Sequence, residues 1–159
     1  MRYIPLKKGY ETLRLVVQRT DGVELAVDNQ PHSSTGRGLL VLMGTRTGDT
    51  EHSCAKLADK VVHLRIFEDD NGKMNLSALD VGADLMIVSQ FTLYADTSKG
   101  RRPAFNDALE PSAAKRLYDK FVEDVKGYEL KVQTGVFGAE MNINFNNNGP
   151  VTIILEHES

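Results

Sequence analysis

The apolar residues of this chain are gathered into short runs, of which Gly38-Leu39-Leu40-Val41-Leu42-Met43 and Val151-Thr152-Ile153-Ile154-Leu155 are the clearest. Runs of this length suit strands buried inside a sheet, and they fall far short of the ~20 residues a membrane-spanning helix needs. A third segment, Met141-Asn142-Ile143-Asn144-Phe145-Asn146, alternates strictly, as a strand with one buried face does. Strands therefore dominate, and a chain of 159 residues can hold them in one domain.

The remaining elements follow from local signals. Residues 13–19 read as a strand, with 23–27 as its hairpin partner across Asp21-Gly22. Residues 64–67 and 73–75 flank Asp70-Asn71-Gly72, a hairpin signal because Asn and Gly accept positive φ at low cost. Residues 84–93 read as one long apolar strand and 129–134 as another. Helical spacing occurs twice. Cys54, Leu57, Ala58, Val61 and Val62 recur on one face of 50–62, with Asp49 or Thr50 as N-cap; Leu117, Phe121 and Val125 follow Pro111, which suits a first helical turn. The predicted fold class is α+β, with two packed, mainly antiparallel or mixed sheets and two helices on one side. The predicted domain is residues 13–159, preceded by an extension of residues 1–12.

Composition removes several function classes. With 41% hydrophobic and 26% charged residues the chain is neither disordered nor of a membrane class. Its N-terminus carries charge without a continuous apolar segment, so a cytoplasmic location is expected. Cys54 is the only cysteine, which excludes an intramolecular disulfide or a thiolate cluster within one chain, and it reads as a core residue. His32, His52, His63 and His157 are widely separated, so no metal and no cofactor is expected. No Gly-x-Ser-x-Gly elbow occurs, and Gly36-Arg37-Gly38 precedes a strand rather than a helix, which makes it a turn. A net charge of −3 provides no global attraction for a polyanion, so any nucleic-acid contact needs a local basic patch.

Three segments could carry chemistry. In Ser89-Gln90-Phe91-Thr92-Leu93 an apolar strand acquires two hydroxyls and an amide. Buried polar side chains need partners, so this row either ties down backbone or faces a ligand. Asn146-Asn147-Asn148-Gly149-Pro150 joins two strands and reads, taken alone, as a hairpin loop; the isomer of its Gly-Pro bond does not follow from the dipeptide. Lys99, Arg101 and Arg102 form a basic loop directly after the first segment, and Lys115 and Arg116 could extend the patch. Such side chains are usually solvated surface, but they are also what phosphate contacts require.

Residues 16–19, 38–42, 65–67, 72–76, 89–93, 95–103 and 148–152 resemble the D-aminoacyl-tRNA deacylases in content and order, a resemblance that runs from about residue 13 to 155. It implies an enzyme that hydrolyses the ester of D-aminoacyl-tRNA, and of glycyl-tRNA, while rejecting L-aminoacyl-tRNA. It further implies a homodimer in which Ser89, Gln90, Phe91 and Thr92 of one subunit meet a Gly149-cisPro150 dipeptide from the other. Phe137, Ala139 and Met141 would line the aminoacyl pocket, Arg19 would fix the Gly-Pro loop, and Lys99, Arg101 and Arg102 would contact tRNA. The chain departs from the pattern at its first twelve residues, at 28–34, and at Asn148, where Asp is usual. Two rival readings are a related deacylase acting on small L-aminoacyl-tRNA and a non-catalytic RNA-binding module.

Overall fold

A computed structural model describes residues 12–158. The expected extension, apart from Thr12, lies outside the described residues. Five strands form one mixed sheet in the order β10-β1-β4-β7-β8: β1 (Thr12–Thr20), β4 (Gly38–Gly44), β7 (Asp84–Ser89), β8 (Val132–Thr134) and β10 (Thr152–Glu158). A second sheet has the order β3-β2-β9, from β2 (Val23–Val27), β3 (Gln30–Thr35) and β9 (Met141–Phe145). The hairpin around Gly72 (φ 76°) pairs β5 (Phe67–Glu68) with β6 (Met74–Leu76). Helices α1 (Glu51–His63) and α3 (Pro111–Lys126) pack on each other, and α1 also contacts β1 and β10. The α+β class with two sheets is thus what the chain adopts.

Alternation along the central strands explains why one sheet has two partners. In β4, Leu39, Val41 and Met43 enter the main core with Cys54, Leu57 and Val61 of α1 and Leu117, Phe121 and Val125 of α3. The intervening Leu40 and Leu42 pack with Val23 and Leu25 of the second sheet. In β7, Leu85 and Ile87 face the helices, whereas Met86 and Val88 face the other sheet. Both strands are covered on both faces and pair in parallel, which is why their sequences are continuously apolar. Cys54 is fully buried, donates to the Leu117 carbonyl at 3.4 Å, and has its thiol pushed up to about 12 by burial, which makes it an inert core group.

Several expectations need correction. Residues 13–19 and 23–27 are not hairpin partners: β1 pairs with β10 and β4, while β2 pairs with β3 and β9. Asp21-Gly22 is therefore a corner between sheets. Its turn chemistry is real, but both edges of β1 are already occupied. The loop 146–150 is likewise not a hairpin, because β9 and β10 belong to different sheets. The strand that β2 does form a hairpin with is β3, through turn residues Asp28 and Asn29 that both have positive φ (50° and 64°), as the tightest hairpin turns require. The run 84–93 stops as a strand at Ser89 and tightens into a 3-10 turn, Phe91–Tyr94. A short helix α2 (Ala78–Val81) is additional. Ser77 and Asp80 close a reciprocal capping box, and hydrogen bonds from Ser77 hold the Asp80 carboxyl below its ordinary value.

Candidate active site

The end of β7 is where backbone leaves the sheet and becomes available. The Gln90 N–H still donates to the Met43 carbonyl at 2.7 Å, after which the 3-10 turn closes with Leu93 N–H on the Gln90 carbonyl at 3.2 Å. The opening N–H groups of such a turn have no acceptor within it. Gly44 makes this geometry possible, since a Cβ there would stand 2.9 Å from Leu93 Cβ. Arg14, which sequence reasoning missed, donates to the Leu93 carbonyl at 2.9 Å and pairs with Glu156. Only the folded register of β1 against β4, which sets Arg14 opposite Gly44, brings that arginine to the turn.

A cavity of about 600 Å³ opens beside this turn. Ser89, Gln90 and Phe91 form one wall and Phe137, Ala139 and Met141 another. A third comes from Thr45, Phe105 and Leu109, where residues 45–47 and 107–109 are tied by Leu109 N–H to the Thr45 carbonyl (3.2 Å) and Thr47 N–H to the Asp107 carbonyl (3.0 Å). This wall carried no sequence signal, because its members are ordinary loop residues. Phe91 is 57% exposed, with its ring 4.9 Å from that of Phe105. An exposed aromatic pair at a cavity mouth can accept a flat or apolar ligand group.

Among the described residues Glu110 is the only ionisable side chain lining the cavity, and it is engaged as the cap of α3, accepting from Ser112 N–H at 2.9 Å. That bond holds its carboxyl below the ordinary value, which makes it a weaker base than a free carboxylate. Gln90 Nε2 donates to Thr92 Oγ1 at 2.5 Å; Thr92 itself is exposed and outside the cavity lining. Among the described residues no group of three His, Cys, Asp or Glu side chains could hold a metal.

Gly149 and Pro150 lie elsewhere in the chain, exposed and joined by a cis bond. They do not line this cavity. Arg19 is only 7% exposed and grips their loop: Nε donates to the Asn148 carbonyl at 3.1 Å, Nη2 to Asn148 Oδ1 at 3.2 Å, and Nη1 to the Ile66 carbonyl at 2.8 Å. Main-chain bonds add to this, with Asn148 N–H on the Arg19 carbonyl at 2.8 Å and Arg19 N–H on the Val151 carbonyl at 3.2 Å. Lys99, Arg101 and Arg102 are exposed on a loop closed by reciprocal Asp96–Ala104 bonds of 2.7 and 2.9 Å. Lys115 is committed to Asp119 at 2.7 Å.

The fold and cavity define a class of two-sheet α+β proteins whose cavity is lined, among the described residues, by apolar and neutral polar groups and one carboxylate, Glu110. Within that class the comparisons are specific. The profile of the D-Tyr-tRNA(Tyr) deacylase family matches residues 16–156. Proteins named D-aminoacyl-tRNA deacylase from Aquifex aeolicus and Thermomicrobium roseum are 49% and 50% identical over 144 residues, covering 91% of this chain and 97% and 94% of those proteins. The solved c-Myc DNA unwinding element binding protein superposes with a TM-score of 0.85 at 36% identity, covering 91% of this chain and 98% of its own. A probable eukaryotic D-amino acid tRNA deacylase gives 0.81 at 21% identity over 92% of this chain, a likeness of fold. The chain belongs to the D-Tyr-tRNA(Tyr) deacylase family.

Proposed function

We propose that this protein is an editing hydrolase that cleaves the ester between a D-amino acid and the 3′ end of tRNA, releasing free tRNA, and that it also clears glycyl-tRNA. The observation that carries this reading is the cavity beside Ser89, Gln90 and Phe91, whose one lining carboxylate among the described residues, Glu110, is engaged as the cap of α3. An aminoacyl ester is already activated, so positioning water and stabilising the developing oxyanion are sufficient tasks for the protein. In this mechanism the N–H groups of Phe91 and Thr92, with Gln90, hold the ester carbonyl. Water attacks with help from the adjacent hydroxyl of the terminal ribose. The carbonyl carbon gains the water oxygen, the bond to the ribose oxygen breaks, and that oxygen takes the proton.

The site is completed by a second copy of the chain. Gly149 and Pro150 of the partner enter the cavity, and their carbonyls accept from the α-amino group of the substrate, leaving no space for an L side chain. Exposure of this dipeptide within one chain supports the arrangement, as does Ile154, 63% exposed and paired with Val16 on a sheet face that the second sheet leaves bare. Lys99, Arg101 and Arg102 contact the phosphates, so affinity for tRNA falls as salt rises. No described helix is long and apolar enough to cross a membrane, and the setting proposed for this activity is the cytoplasm.

Purified protein should hydrolyse D-Tyr-tRNA and Gly-tRNA and leave L-Tyr-tRNA intact. Turnover of L-Tyr-tRNA at a comparable rate would refute the chirality argument, and tRNA binding without any cleavage would favour a binding module. A covalent route through Thr92 is the second chemical reading, since its hydroxyl lies next to the turn. Its Oγ1 receives a hydrogen bond from the Gln90 amide, and an amide supplies no base. Thr92→Ala is therefore expected to keep hydrolysis near the normal rate in single-turnover assays; a loss beyond roughly a thousandfold would mark Thr92 as the nucleophile.

A further inference from the structure

The two corners that connect the sheets lie side by side, because β1 pairs with β10 and β2 with β9. One corner contains Asp21 and the other Asn146 to Pro150. The Asp21 carboxylate joins them. Its Oδ2 accepts from Asn146 Nδ2 at 2.6 Å and its Oδ1 from Asn148 Nδ2 at 2.7 Å, while Asp21 N–H donates to Asn146 Oδ1 at 3.0 Å. Asn148 Oδ1 in turn accepts from Arg19 Nη2 at 3.2 Å. The Asn148 amide is thus oriented from both sides, its oxygen toward the guanidinium and its nitrogen toward the carboxylate.

We propose that Asp21 is a positioning residue for the Gly149-Pro150 dipeptide, acting through Asn148 and Asn146. The inference rests on the reading of that dipeptide as part of the substrate site. The residue type follows from hydrogen-bond inventory: two amide nitrogens converge on position 21, and a carboxylate offers each its own oxygen. An Asn at 21 would turn an N–H₂ toward one of those donors. An Asp at 148 would turn an oxygen toward the Asp21 oxygen. The other charged groups around Asn148 are Arg19, Arg37 and Glu68. Solvent weakens these exposed bonds individually, but they act on a loop where displacement of an ångström governs the rate.

The arrangement predicts that the pair can be reversed. With Asp21→Asn and Asn148→Asp together, the new amide at 21 donates to the new carboxylate, its oxygen still accepts from Asn146, and Arg19 still meets an acceptor. Asp21→Ala and Asn148→Asp alone should each lower kcat/KM on D-Tyr-tRNA about tenfold, whereas the double variant should return to within about threefold of the parent, the signature of direct coupling. Parental activity in Asp21→Ala, or a double variant no better than Asn148→Asp alone, overturns the proposal. Amide hydrogen exchange at Asn148 and Val151 supplies a readout that needs no turnover: about tenfold faster in the single variants and recovered in the double. Unchanged exchange in the single variants also overturns it. A parent inactive on D-Tyr-tRNA defeats the proposed function instead, and exchange still judges whether Asp21 orders the loop.

Discussion

Gly149→Ala should lower hydrolysis of D-Tyr-tRNA by at least about a hundredfold, the loss that a misplacement of about 1 Å can cause. Gly149 has φ 133°, a conformation that side chains rarely adopt, and a Cβ there would lie 2.7 Å from Val151 Cγ2 and 3.0 Å from Arg19 Nη2. Arg19 cannot retreat freely, because its other nitrogens are committed to the Asn148 and Ile66 carbonyls. The loop must therefore move, and with it the carbonyls proposed to take the substrate's amino group. Global stability should suffer less. The glycine is exposed and outside both cores, so strain of about 1–3 kcal/mol lowers Tm by about 2–12 °C. Single-turnover kinetics beside a thermal melt separate these effects. Near-parental turnover would show that the dipeptide plays no part in the reaction.

The largest effect on stability is expected at Phe121→Ala. Phe121 is fully buried on the face of α3 that meets α1 and the five-stranded sheet. Truncation forfeits the burial of the ring and opens a cavity that its neighbours fill only in part, at a cost of about 3–5 kcal/mol. Folded domains are stable by only about 5–15 kcal/mol, so much of the margin disappears. A urea titration should show a lower midpoint with an unchanged slope, since the same surface is exposed on unfolding. A midpoint within the error of the parent would mean that α3 does not close the core as described.

Many of the elements were legible in the chain, for a local reason. The face of α1 carrying Cys54, Leu57, Ala58, Val61 and Val62 and the alternation of β9 are side-chain periodicities, and these survive whatever the rest of the molecule does. Turn chemistry at Gly72 was equally readable. The errors arose at corners. Asp21-Gly22 and residues 146–150 carry the residues of a tight turn, yet each leads from one sheet into the other. Composition reports that the chain bends there, not what lies across the bend. The ending of β7 at Ser89 was hidden for a related reason: the apolar pattern continues through Phe91 and Leu93, while the backbone has already tightened.

The candidate site divides in the same way. Ser89, Gln90 and Thr92 stood out as polar groups in an apolar setting, and Phe91, Arg19 and the Gly-Pro dipeptide through resemblance. The wall formed by Thr45, Phe105 and Leu109, the support from Arg14, and the link from Asp21 to Asn148 were not visible. By itself the sequence determined which segments extend, coil or turn and which face of each is apolar, since these depend on neighbours within a few residues. Tertiary structure alone decided which strands pair, that β4 and β7 are covered on both faces, and which distant polar groups meet at the two corners. Backbone N–H and C=O groups are the same in every strand, so pairing is selected by the faces that must be buried together.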